Sequence, residues 1–516
     1  MDPLPLCPYP QTLVHAGRSV PFPTAIAVLG LDAANPAEAA ARRTMEQLGA
    51  LLPGVRCAFD GDAAYSIRFL DDASVIHPEG YVLNTDETGI TVAAGTPAGR
   101  FYGAQTVYQL LTGIFHAGRF LRFDAAVDAR TAAARRAVPV LRIEDEPRYA
   151  VRSFMADVGR APFSLPLLKR LVRILAHLKL NTLHLHLNDD ELCGFRFARL
   201  PIGRENPFAL DAAALTELVA YARSYHVAIL PEIESWGHVH SFTYHYPHLR
   251  GAAGQYGGSS FGIGEASYAL LEKIYDEIVP CLEPVAAVHL GLDEALWAVL
   301  PGEEDRGHTP ENMVGRLHDI LMRVGARHGK KLTMHIWADH GGRPVPAALR
   351  DRIVVQPWGY AEQSIPEIIE KVKRYGGTGK PPVMLGAGAS WIRVHGDYEA
   401  TLAWCVEGAV HPNVLGVTLC LWGTNDVAGR LITAYAGADC AWSPATPAHV
   451  PGPAPVESLR NALDQQMRQW QILFPEADPA AINADRGPEV ELGRYMWPPR
   501  AGEAVAPTAD YFPETK

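Results

Sequence analysis

No window of this chain is long and apolar enough to span a bilayer. No basic region followed by an apolar one opens it, since the N-terminus reads Met1-Asp2-Pro3-Leu4-Pro5-Leu6-Cys7. A cytoplasmic location with no membrane partner is therefore the expectation. Cysteines are few: seven in 516 residues, scattered, with no Cys-x-x-Cys. That speaks against a disulfide framework or a zinc knuckle and leaves buried free thiols. Basic residues fall short of acidic ones, 46 against 57, for a net charge of -11. The deficit argues against nucleic acid as a partner. A glycine-rich phosphate turn is missing as well. Asp157-Val158-Gly159-Arg160 is not one, and Gly386-Ala387-Gly388-Ala389 is too short a match to indicate a nucleotide. No cofactor is implied.

What is present is a globular composition, 48% hydrophobic and 20% charged, in a chain too long for one ordinary core. Residues 1–20 are proline-rich and read as irregular. Ala25–Leu31 and Tyr65–Leu70 read as strands, Ala37–Leu52 as a helix, and 79–84 with 89–94 as a hairpin before a helix over Ala104–Leu111. This is a small α/β domain, residues 1–140, with no evident chemistry. Val138–Pro147 reads as a connection.

From residue 148 strands and helices alternate. Strands are expected at 151–156, 182–187, 227–232, 285–290, 332–338, 353–357, 382–386 and 414–421. Between them the spacing predicts helices near 165–178, 212–225, 266–282, 312–328, 364–374 and 397–409, and a short one near 345–350. An eighth helix is expected over Val456–Leu473. Eight strands each followed by a helix give a (β/α)8 TIM barrel, here residues 141–473. Residues 474–516 read as an irregular tail.

The strand ends collect polar and aromatic groups. Strand one offers Arg152, Asp157 and Arg160; strand two ends in Asn188-Asp189-Asp190; strand three in Glu232-Ile233-Glu234-Ser235-Trp236-Gly237-His238. Strand four ends in Gly291-Leu292-Asp293-Glu294. Asp339 follows Trp337 on strand five, Trp358-Gly359-Tyr360 ends strand six, Trp391 follows strand seven and Trp422 strand eight. Adjacent Asp293 and Glu294 could simply favour a helix N-terminus. At the C-terminal end of a barrel strand they stand where catalytic groups sit. Half of the ten tryptophans gather here, at 236, 337, 358, 391 and 422. Flat indole faces stack on sugar rings while carboxylates and arginine bind hydroxyls, so the set points to a carbohydrate pocket. Ordinary glycosidases hold two carboxyls roughly 5–9 Å apart across the scissile bond. Neighbours in sequence suit a different division: one general acid, one positioning group.

Val288-His289-Leu290-Gly291-Leu292-Asp293-Glu294 resembles the His-x-Gly-Gly-Asp-Glu signature of family 20 glycoside hydrolases, the β-N-acetylhexosaminidases. Matches in the same order run through Phe101–Leu111, Arg152–Arg160, Asn181–Asp190 and Pro231–His238. The resemblance implies substrate-assisted catalysis on a terminal N-acetylhexosamine of an oligosaccharide or glycoconjugate. Glu294 would be the general acid and Asp293 would hold the acetamido group. Arg152 would bind ring hydroxyls, with Asp190 and Asp339 beside the substrate. Trp337, Trp358 and Trp422 would wall the pocket, and His238 would orient its neighbours. Three departures stand out. Leu292 replaces the second glycine. The usual Trp-x-Glu after strand eight is Trp422-Gly423-Thr424-Asn425-Asp426, which makes Asn425 and Asp426 the replacement contacts. Trp391-Ile392-Arg393 stands where a Tyr-x-Asp is usual.

Two other functions fit parts of the sequence. His184-Leu185-His186 puts two imidazoles on one strand face, as a metal-dependent amidohydrolase would. A non-catalytic sugar-binding protein would keep the aromatic rim without needing both acids.

Overall fold

The computed structural model of the protein describes residues 4, 6–120, 136–253, 259–303, 306–339, 345–360, 363–388, 396–423, 427–443, 470–471 and 473–486. The first layer is a seven-stranded sheet. Its strands are β1 (Thr12–Pro21), β2 (Ala25–Leu29), β3 (Arg56–Phe59), β4 (Tyr65–Asp71), β5 (Tyr81–Asp86), β6 (Gly89–Ala94) and β7 (Ala137–Asp145), in the order β1-β7-β5-β6-β4-β2-β3. Helices α1 (Ala39–Leu51) and α2 (Pro97–Phe120) accompany it. Two expectations are corrected. The proline-rich start carries β1, and the supposed connection is β7, which pairs β1 antiparallel from Thr12 opposite Glu144. Val138, Leu141 and Ile143 on β7 are buried, so the segment belongs to the N-terminal core. Helix α2 is also longer than its expected eight-residue span. Phe101, Val107, Tyr108, Leu110 and Leu111 are all buried, and Gln109 Nε2 donates to the carbonyls of Cys7 and His177. A helix covered on every side has no polar face to mark its ends.

The second part is a closed eight-stranded parallel barrel. In chain order it runs β8 (Val151–Asp157), α3 (Leu165–His177), β9 (Thr182–His186), α4 (Ala212–Arg223) and β10 (Ala228–Glu232). A loop carrying α5 (His240–Thr243), β11 (Arg250–Ala253) and β12 (Ser259–Phe261) leads to α6 (Glu265–Ile278) and β13 (Val285–His289). Then come α7 (Pro310–Arg327), β14 (Lys331–Trp337), β15 (Ile353–Gln356), α8 (Ile365–Tyr375), β16 (Val383–Ala387), α9 (Gly396–Gly408) and β17 (Val414–Leu421). The eight expected strands are all here, within a residue or two at each end. Of the helix expected over Val456–Leu473, residues 470, 471 and 473 are helical; an unexpected helix, α10 (Val427–Trp442), directly follows β17. Leu431, Ile432, Ala434, Ala438 and Ala441 are buried along with most of its other residues, so no alternation betrays it. Most of 456–473 lies outside the described residues. The tail is not wholly irregular: α11 (Pro479–Arg486) packs on α3, where Arg170 bonds Asp485 and Glu476, and Arg173 bonds Glu476.

The seam between the two parts corrects Arg152. It is the second residue of β8, at the barrel end opposite the strand C-termini, and it is fully buried. Its Nη1 donates to Glu79 Oε2 and Tyr149 O, both at 2.7 Å, and its Nε to Lys179 O at 2.8 Å. The guanidinium lies 4.9 Å from the Trp442 ring. Lys179 in turn donates to Asp145 Oδ2 at 3.1 Å, and Trp442 Nε1 to Asp145 Oδ1 at 2.8 Å. Arg152 therefore ties the barrel to the N-terminal sheet and does not meet a ligand at the rim.

Candidate active site

Each barrel strand delivers its last residues to one rim. Asp157 ends β8, His186 ends β9, Glu232 ends β10, His289 ends β13, Trp337 ends β14 and Gln356 ends β15. Below the rim lies a buried polar plate. The two oxygens of Glu232 gather His184 Nε2 at 3.1 Å, His186 Nδ1 at 2.8 Å, His289 Nδ1 at 3.2 Å and Trp337 Nε1 at 2.5 Å. Burial would raise this carboxyl, but His186, His289 and His184 hold it well below the usual range. His186 is held at about 10: burial opposes its charge, and Glu232, Asp157 and Asp189 overcome that. The His184–Glu232–His289 set has the donor types of a metal site. However, the Gly291 N–H already donates to His289 Nδ1 at 3.0 Å, and both nitrogens of His186 are spent on Glu232 and Asp189. His289 Nδ1 and His186 are thus held by hydrogen bonds, whereas His289 Nε2 and both ring nitrogens of His184 have no hydrogen-bond partner among the described residues.

On this plate stands His238. Its Nδ1 lies 3.3 Å from both Asp189 Oδ1 and Asp190 Oδ2. Its Nε2 lies 3.4 Å from Glu294 Oε2 and 3.9 Å from Asp293 Oδ2. Burial alone would push this imidazole down; Asp189, with bonds to Asp190 and Glu294, holds it well above the usual value. A cationic ring thus sits between the acids of strands two and four. Asp190 Oδ1 accepts from the backbone N–H groups of His240 and Ser259, so this aspartate fixes the long loop as well as His238. Asp339 has the matching part on the other side. Its Oδ2 accepts from the Glu294 N–H at 3.3 Å and its Oδ1 from Trp358 Nε1 at 2.9 Å.

The turn that presents Asp293 and Glu294 is backbone-strained. Gly291, Leu292 and Glu294 have φ of 65°, 79° and 47°, and His238 has 50°. Left-handed backbone costs a non-glycine residue about 1–2 kcal/mol, and clusters of it mark functional sites. Leu292 accepts that cost with its side chain fully buried.

An aromatic box adjoins the acids. Trp337 and Tyr360 form a buried cluster with Met155 and Cys420, against which Trp358 and Trp422 pack. Trp337 and Trp422 rings lie 5.8 Å apart at 46°, and Trp358 stacks on Tyr360 at 5.7 Å and 28°. Trp236 is not part of it. That ring is fully buried among Phe261, Tyr268 and Trp297. Trp391, Asn425 and Asp426 lie outside the described residues.

The rim arginine is Arg160. Its Nη1 reaches Asp157 Oδ2 at 3.1 Å, its Nη2 reaches Asp189 Oδ2 at 2.7 Å, and the guanidinium lies 5.3 Å from the Trp422 ring. Asp157 Oδ2 also accepts from Gly423 N–H, joining strand one to the turn after strand eight. Strand register was the available signal: Arg160 lies beyond the C-terminal end of β8 and Arg152 at its start. Tyr360 and Glu234 stand at the expected strand ends, but one tyrosine beside tryptophans and one acid before Ser235 carry no mark in the sequence that singles them out.

Residues 149–371 match "Glycosyl hydrolase family 20, catalytic domain" and residues 4–146 match "Glycosyl hydrolase family 20, domain 2". The chain belongs to glycoside hydrolase family 20. This family 20 chain is 33% identical to a β-N-acetylhexosaminidase of Cellulomonas fimi over 180 residues, 31% of this chain and 36% of that one. It is 26% identical to a β-hexosaminidase of Porphyromonas gingivalis over 246 residues, 44% of this chain and 30% of that one. Those alignments span about a third of the relatives' length. Among solved structures, the Streptomyces plicatus N-acetyl-β-hexosaminidase in complex with Thio-NAglucal superposes with a TM-score of 0.65 at 24% identity, covering 91% of this chain and 95% of that one. The Vibrio harveyi exo β-N-acetylglucosaminidase in complex with N-acetylglucosamine gives 0.64 at 20%, covering 93% and 78%. At such identity these two likenesses speak for the fold.

Proposed function

We propose that this family 20 glycoside hydrolase is a retaining exo-β-N-acetylhexosaminidase that removes terminal β-linked GlcNAc or GalNAc with the substrate's own acetamido group as nucleophile. One observation carries the reading: Asp293 and Glu294, neighbours in sequence, share one strained turn at His238 beside the aromatic box. Glu294 donates its proton to the glycosidic oxygen as the C1–O bond breaks. The acetamido carbonyl oxygen attacks C1 from the opposite face, and Asp293 accepts a hydrogen bond from the acetamido N–H, which becomes acidic as the oxazoline ring forms. Water then adds to C1, losing its proton to Glu294, and the ring opens with net retention. Trp337, Trp358, Tyr360 and Trp422 provide the flat apolar walls that a sugar ring and an acetamido methyl require. Arg160, whose guanidinium lies 5.3 Å from the Trp422 ring, is a charged donor for ring hydroxyls.

The test is hydrolysis of an aryl β-N-acetylglucosaminide without added metal. Glu294→Gln is expected to lose about 10²–10⁴-fold in kcat, the usual worth of a general acid. An unaffected Glu294→Gln enzyme removes the assignment.

A further inference from the structure

The Glu234 carboxyl is fully buried and lies against the Asp293 carboxyl, which is 14% exposed. Each keeps one buried oxygen, Glu234 Oε1 and Asp293 Oδ1, that no N–H or hydroxyl of another residue reaches. Two ionised carboxylates cannot share such a contact at tolerable cost, whereas one proton between them satisfies both oxygens. We propose that Glu234 is a protonated positioning residue, donating a hydrogen bond from Oε1 to Asp293 Oδ1 and leaving Asp293 Oδ2 to receive the acetamido N–H. This rests on the function proposed above and adds a residue to it.

The Glu234 carboxyl is fixed from two further directions. Its Oε2 accepts from the Leu292 N–H at 3.2 Å. It also fills the space of the side chain that residue 291 lacks: a Cβ on Gly291 would stand 2.0 Å from Oε2 and 2.2 Å from Oε1. Glycine is therefore required at 291 by this carboxyl as well as by φ 65°. The charged groups around Glu234 are Glu232 on its own segment, Asp293 from the β13 turn, His238 from the following loop and His186 from β9. Burial, then Asp293 and Glu232, push Glu234 well above the usual carboxyl value, and the opposing His238 does not reverse this. The geometry divides Asp293 oxygen by oxygen. Oδ1 takes the Glu234 proton as a hydrogen bond, and Oδ2 stays anionic, 3.9 Å from His238 Nε2.

The test has one arm independent of turnover. Infrared difference spectra of wild type against Glu234→Gln at neutral pH are expected to show the carbonyl stretch of one protonated carboxylic acid, present only in the wild type. The second arm is kinetic. In Glu234→Gln the amide N–H₂ can still donate to Oδ1, so kcat on an aryl β-N-acetylglucosaminide is expected to fall only a few-fold. Glu234→Ala removes the donor and should lose about 10–100-fold, mainly in kcat, the worth of a hydrogen bond to a charged group. The third arm uses a dinitrophenyl aglycone, whose departure needs no proton from Glu294. There the alkaline limb of kcat/KM reports loss of the shared proton and should move to higher pH in Glu234→Gln. A wild type without the carboxylic-acid band, or a Gln variant as impaired as Ala, overturns the proposal. Wild type inactive on every glycoside instead overturns the function and leaves the infrared arm to decide this pair. If Glu234→Ala does not fold, the band and the Gln variant decide alone.

Discussion

Trp422 Nε1 donates to Tyr360 Oη at 2.7 Å, a bond that closes the aromatic box across the gap between strands six and eight. Tyr360 is buried, and Trp422 also meets His186 edge-on at 5.1 Å, so the indole plane is held from two sides. Tyr360→Phe keeps the ring and removes the bond. It should lower kcat/KM about fivefold, from the roughly 1 kcal/mol of one neutral hydrogen bond, with little change in folding stability. Steady-state kinetics on an aryl glycoside check this. A loss confined to thermal stability speaks against a wall role for Trp422.

Leu292 reverses an ordinary ranking. Its buried side chain favours any larger residue, while φ 79° favours glycine. Both truncations lose the packing, about 2–5 kcal/mol for a buried leucine. Only Leu292→Gly also recovers the left-handed strain, about 1 kcal/mol. Leu292→Gly should therefore unfold at higher urea than Leu292→Ala, although alanine normally does better than glycine. The usual order in urea titrations contradicts the strained turn.

The two arginines of strand one separate stability from binding. Arg152→Met breaks a buried pair with Glu79 and should cost about 3–5 kcal/mol in unfolding free energy, with KM unchanged in the enzyme that remains folded. Arg160→Lys keeps a charge among Asp157, Asp189 and Glu191 but loses the planar fork. It should raise KM about tenfold. A KM effect from Arg152 and none from Arg160 reverses their placement.

The difficulty with Arg152 shows which parts of the chain were legible. All eight barrel strands were, because buried parallel strands read as compact apolar runs. Asp293, Glu294, His238 and Trp337 were legible through their place at strand ends. Arg152 and Arg160 share one strand motif, and only the register along β8 tells the bottom of the barrel from its rim. α10 was hidden by its burial, and β1 by prolines that look like punctuation yet flank an edge strand. Glu234 was legible as an acid at the end of strand three but its role was not, because its partner Asp293 is 59 residues away and only folding brings the two carboxyls together.

Asp293 links the site to stability. An unfolded aspartate titrates near about 3.9. In the fold Asp293 is raised to about 6, by burial first and then by Asp339 and Glu232, with His238 opposing. The folded state holds this proton more tightly, so the stability it gives is complete below about 3.9 and is lost as pH rises through about 6. Asp293→Asn does not ionise. It should exceed wild type in unfolding free energy by about 1–3 kcal/mol above pH ~7, with the difference vanishing near pH ~4. Denaturant titrations at the two pH values check it; a difference that grows toward acid reverses the sign.

In the proposed mechanism the substrate supplies its own nucleophile between Asp293 and Glu294. Hydrolysis of aryl β-N-acetylglucosaminides whose acetamido methyl carries none, one, two or three fluorines measures this directly. Each fluorine withdraws electrons from the carbonyl oxygen and little else. The account predicts that kcat/KM falls steeply with every fluorine. A rate independent of fluorination would mean that another group attacks the anomeric carbon, and would contradict it.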